Sequence, residues 1–67
     1  MSPTEIAAAA SDYLAGFDDP APIAAIAQRG TSDEDDARLA DAYGEDWPAV
    51  AMEIHRVCQE WAAGAIV

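Results

Sequence analysis

DWPAVAMEIHRVCQEWAAG, residues 46–64, is the stretch that decides the fold. Val50, Ile54, Val57 and Trp61 recur at steps of four, three and four. That spacing puts them on one narrow stripe of an α-helix, with Trp47 and Cys58 beside it. Glu45-Asp46-Trp47-Pro48 supplies the start: acids ahead of the first turn, and a proline where a backbone N–H is not needed. The spacing predicts a helix from about Trp47 to Ala63. Gly64-Ala65-Ile66-Val67 is an apolar end that either folds back or frays. A helix with one apolar stripe needs other elements to cover it.

Moving outward, the upstream sequence punctuates into three further helices. Ser2-Pro3-Thr4-Glu5 has the form of a capping box with proline at the first helical position. The first helix runs to about Ala15, with Gly16 as its stop, and Ile6, Ala10, Tyr13, Leu14 and Phe17 mark its inner face. Asp19 caps a short second helix that begins at Pro20, turns Ile23, Ile26 and Ala27 inward, and closes with Arg29 and Gly30. Thr31-Ser32 opens the third. Either hydroxyl can cap, and Thr31 with Glu34 has box spacing. Leu39 and Tyr43 anchor it, and Gly44 stops it. No alternation of the strand kind competes with these signals.

The fold class expected is therefore all-α: a compact four-helix bundle with a short second helix, in one small acidic domain spanning residues 1–67. Its core should comprise Phe17, Ile23, Ile26, Leu39, Tyr43, Val50, Ile54, Val57 and Trp61. With helices alternating in direction, the starts of helices two and four would share one end of the bundle, opposite the start of helix three. A chain of 67 residues is close to the lower size at which one core suffices, so association with itself or another protein would help.

Charge narrows the function classes. Thirteen acids against three arginines, with no lysine, give a formal net charge of −10. That charge opposes binding to nucleic-acid phosphates and to anionic membrane surfaces, and suits a partner protein with a basic surface. It also serves solubility. No apolar segment approaches the roughly 18 residues needed to span a bilayer, and Ala7–Ala10 follows Glu5 with no basic region before it, so neither a membrane span nor a signal peptide is read here. One cysteine excludes an internal disulfide. A cytoplasmic protein is the expectation.

The densest charge is Asp33-Glu34-Asp35-Asp36. Successive helical residues rotate by about 100°, so these four carboxylates cannot converge on one ion. A calcium loop counted from Asp33 would need glycine at its sixth position and glutamate at its twelfth, where this chain has Arg38 and Gly44. No metal site and no cofactor follow from the run. Eight of the 13 acids, Asp18, Asp19, Asp33 to Asp36, Glu45 and Asp46, stand at the starts of helices two to four, where unpaired N–H groups favour negative charge. Arg38 can pair back to Glu34. Two acids would have sufficed for helix three, and the surplus is what points to a basic partner.

His55 and Cys58 are neighbours on a helix, the spacing of a nucleophile and its base. No oxyanion donor, orienting third group or glycine-rich loop accompanies them, and a free cysteine usually faces the core. The chain is accordingly read as a non-enzyme: a protein-binding module such as a small acidic inhibitor, adaptor or accessory subunit. Its expected contact residues are Asp33, Glu34, Asp35, Asp36, Glu45, Asp46 and Trp47. Homodimerisation is compatible with this reading. An acidic mimic of nucleic acid, of phage origin, is an alternative that needs the acid clusters to form one continuous stripe.

Two resemblances bear on function. Acyl carrier proteins are also small acidic helical domains, but their attachment serine lies in Asp-Ser-Leu. Here the order is Ser11-Asp12 and Ser32-Asp33 with no leucine after the serine, so that function is rejected. YLAGFDDPAPIAAIAQRGTSDEDDARLADAYGED, residues 13–46, resembles the helical leader or recognition domains of ribosomally made peptide precursors, and small all-helical subunits of ring-cleaving dioxygenases. The likeness covers about half the chain and lies in its caps and stops. The precursor resemblance implies a docking domain in the first three helices and a modifiable tail, WAAGAIV, from Trp61 onward.

Overall fold

In the computed structural model, which describes residues 1–64, the chain is all-α. Helix α1 spans Pro3–Ala15, α2 Pro20–Arg29, α3 Asp33–Tyr43 and α4 Trp47–Gly64, with a 3-10 turn at Gly44–Asp46 leading into α4. There is no strand among the described residues. The expectation for Ala65–Val67 lies outside them.

Local chemistry explains each boundary. Ser2 accepts from the backbone N–H of Glu5 at 3.2 Å while the Glu5 carboxylate accepts from the Ser2 N–H at 3.2 Å, closing the expected box. The Asp19 carboxylate accepts from the Ala21 N–H at 3.0 Å, and Pro20 holds the first helical position. Gly30 and Gly44 end α2 and α3 with φ of +82° and +60°, a region that disfavours any side chain. The cap of α3 differs from Thr31 with Glu34. Ser32 is the N-cap and Asp35 its box partner, with Asp35 N–H donating to Ser32 Oγ at 3.2 Å and Ser32 N–H to Asp35 Oδ2 at 3.1 Å. Both pairs have the same spacing, so sequence alone could not separate them.

Helix α4 is the hub. Helices α1, α2 and α3 each pack chiefly against it, and α1 also meets α3 where the Tyr13 hydroxyl donates to Asp35. The radius of gyration is 11.3 Å, close to the roughly 11 Å of a compact chain this long. All-α is thus right as a class, while the alternating arrangement needs correction. Pro20, Ile23 and Ala24 of α2 lie beside Trp61 and Ala62, and Gly30 at its far end lies against the His55 ring. Helix α2 therefore starts at the C-terminal end of α4, and the starts of α2 and α4 lie far apart rather than at one end. The Met1 amino group sits 3.4 Å from Asp46, so α1 begins where α4 begins.

The core comprises Ala9, Ala10, Leu14, Ile26, Leu39, Val50, Ala51, Ile54 and Cys58. Of the nine residues expected there, Ile26, Leu39, Val50 and Ile54 are buried, while Phe17, Ile23, Tyr43 and Val57 are half-buried against the cluster. Trp61 is a correction: 49% of it is exposed. The stripe of α4 follows Val50, Ile54 and Cys58, steps of four, so the covered face passes Val57 on one side and leaves Trp61 beyond the core. Ala9 and Ala10 of α1 are buried as well, so small side chains complete the core.

Candidate functional site

The expected contact residues divide into those the fold uses and those it leaves to solvent. Asp35 belongs to the first group and corrects the sequence reading, being 9% exposed. Its carboxylate accepts hydrogen bonds from the Tyr13 hydroxyl of α1, and from the Ser32 N–H at 3.1 Å and the Ser32 hydroxyl at 2.9 Å. Arg38 lies 3.6 Å away. Burial by itself would raise this carboxyl, yet the Tyr13 hydroxyl, Ser32 and Arg38 together hold it below the usual range. The Tyr13 hydroxyl moves the opposite way, raised by burial and by donating to Asp35. Tyr13 also meets Phe17 edge to face, ring centres 5.5 Å apart.

Asp36 is half-buried and accepts from the Thr31 hydroxyl at 2.6 Å, a second contact inside the fold. Half of the four-acid run therefore stabilises the base of α3. Asp33 and Glu34 remain exposed, Glu34 with Arg38 at 3.8 Å, the pairing expected from their spacing. Glu45 and Asp46 are exposed in the 3-10 turn. Trp47 is half-buried against the core. With α2 starting beside Trp61, the acids Asp18 and Asp19 stand at one end of α4 and Glu45 and Asp46 at the other.

His55 and Cys58 lie in different surroundings on α4. Cys58 is completely buried, and burial raises its thiol, the wrong direction for a nucleophile. His55 Nε2 lies 3.2 Å from the Gln59 side-chain nitrogen, on the partly exposed side of α4. Among the described residues no three histidine, cysteine or acidic side chains converge as metal ligands, and no helix is long and apolar enough to cross a membrane.

One feature was not anticipated. Among the described residues, Pro20, Ile23 and Ala24 of α2 and Trp61 and Ala62 of α4 line an apolar cleft of about 250 Å³ that opens to solvent. Pro20, Ile23 and Ala24 stand at helical spacing in the sequence, but only their apposition to Trp61 in space makes a cleft. No protein-family model matches the chain, and neither a curated protein nor a solved structure matches it.

Proposed function

We propose that the chain is a non-enzymatic protein-binding module: a small acidic inhibitor, adaptor or accessory subunit, built on a compact four-helix scaffold and working in the cytoplasm. The observation that carries this reading is the charge of −10, of which Asp33, Glu34, Glu45 and Asp46 stay exposed after Asp35 and Asp36 have been drawn into the fold. Exposed acids of this kind speed encounter with a basic surface and select against acidic ones. Affinity capture from the source cells should recover one protein in stoichiometric amount, and its binding should weaken as salt rises. Changing Asp33, Glu34 and Glu45 together to the neutral amides should lower the rate of association. An unchanged rate at low salt would remove the acids from the function.

A second reading draws on one observation. Gln59 to Gly64 are all exposed, so Trp61 is accessible in the way a modifiable segment requires. As a recognition domain of a ribosomally made peptide, the chain should gain mass within residues 61–67 when expressed with its neighbouring genes. An unmodified mass under those conditions would dismiss that reading.

A further inference from the structure

We propose that the cleft between α2 and α4 is the docking site for a basic amphipathic helix of the partner protein, with one apolar anchor side chain seated against Trp61 and a flanking lysine or arginine facing Asp18 and Asp19. This inference rests on the protein-binding reading and assigns it a surface.

Three observations converge on that occupant. The first is shape. Pro20, Ile23 and Ala24 follow one another at helical spacing on one wall, and Trp61 and Ala62 form the other. A groove between two helices accepts a third helix through anchors three or four residues apart. At about 250 Å³ it lies below the roughly 300–1,000 Å³ of pockets for drug-sized ligands, so it suits a side chain better than a free small molecule. The second is composition. The lining is almost wholly apolar, and the protein leaves 49% of an indole exposed there. Tryptophan is the residue type most enriched among those that dominate binding energy.

The third is charge at the rim. Asp18 and Asp19 immediately precede Pro20, and both are exposed. Arg38 is paired with Glu34 and Asp35, Arg56 with Glu53 and Glu60, and Arg29 ends α2 at the opposite end from Pro20. The cleft therefore presents apolar surface beside negative charge, with no arginine at its α2 end. A second copy of this chain is a poor occupant, because two bodies of charge −10 repel. A cationic amphipathic helix complements both properties.

The test uses a 14-residue amphipathic helix of leucine and lysine as probe, and the same helix with glutamate in place of lysine. Amide and indole N–H resonances of the whole protein are followed on titration. The expected result is that the lysine peptide shifts Ile23, Ala24, Trp61 and Ala62, while the glutamate peptide does not. Trp61→Ala should weaken binding by about tenfold or more. Asp18→Asn with Asp19→Asn should weaken it less and flatten its salt dependence, because asparagine keeps the α2 cap while removing the charge. Shifts confined to Asp33, Glu34 and the 3-10 turn, or equal affinity of the Trp61→Ala variant, would overturn the cleft as the site. So would sedimentation showing a dimer that Trp61→Ala dissolves. Photocrosslinking in the source cells separates the two levels of the argument. Crosslinks from position 34 but not from position 61 would discard the cleft and keep the protein-binding reading. Crosslinks from neither position would discard both.

Discussion

The base of α3 and the far end of α4 solve opposite problems. At the base of α3, Tyr13, Ser32 and Asp35 bring polar groups together across 22 residues of sequence and satisfy them with one another. At the far end of α4, Pro20, Ile23 and Trp61 bring apolar groups together and leave them open. In the first region a charged side chain is enclosed because every partner it needs comes from the fold. In the second a large apolar side chain stays half exposed because Pro20, Ile23, Ala24 and Ala62 border it without closing over it. The difference teaches that charge and hydrophobicity do not sort simply into outside and inside here. Completeness of local partners decides, since an unpartnered buried carboxylate costs more than a half-exposed indole.

Substitutions should split along that line. The largest effect is expected from Asp35→Ala, which leaves the Tyr13 hydroxyl and the Ser32 cap without their acceptor. A loss of about 2–3 kcal/mol should lower the melting temperature by roughly 10 °C or more, measured by circular dichroism. A variant melting within a degree or two of the parent would mean that the junction is ornamental. Tyr13→Phe removes one donor to an ionised acceptor and should cost somewhat less, about 1.5–2 kcal/mol. Combining the two should fall short of the sum, because both act on one bond. Strict additivity in the double-mutant cycle would contradict that coupling.

Acid should act on the same region. The Asp35 carboxyl is held below its ordinary range in the folded protein, so the unfolded chain binds its proton first as pH falls. Its contribution is fully present above the unfolded value of about 4 and is lost as pH drops through the lower folded value. Denaturation midpoints followed from pH 6 to pH 2 should fall more steeply for the parent than for Asp35→Asn. Parallel curves would assign acid sensitivity to other carboxylates. The smallest stability effect belongs to the other region. Trp61→Ala should change stability by less than about 1 kcal/mol, since the indole is half exposed already. A loss comparable to that of Asp35→Ala would show the cleft to be part of the core after all.

The two regions also mark what the sequence made legible. Caps, prolines and stop glycines act over three or four residues, so the helices at Pro3, Pro20 and Trp47 could be placed from local signals alone. The Glu34–Arg38 pair was legible for the same reason. The Tyr13–Asp35 bond was not, because nothing local links α1 to the start of α3. Asp35 consequently read as surplus charge when it is a structural acceptor. Trp61 failed in the reverse sense. A stripe on α4 states which side is apolar, but its burial depends on how far α2 reaches. Cys58 lay beside the stripe in the sequence reading and proved to lie on it, because a shift from step three to step four rotates the covered face past Val57.

The hub position of α4 has a consequence for the order in which this protein can be made. Chains emerge from the ribosome N-terminus first, and α1, α2 and α3 pack chiefly on α4. Until residues 47–64 are synthesised, the three earlier helices lack the element against which most of their packing is made. They are short, and isolated helices of 10 to 13 residues are marginal in water. Folding should therefore wait for the last helix and then occur as a single event, with the nascent chain kept soluble meanwhile by the same carboxylates that later crowd its helix starts.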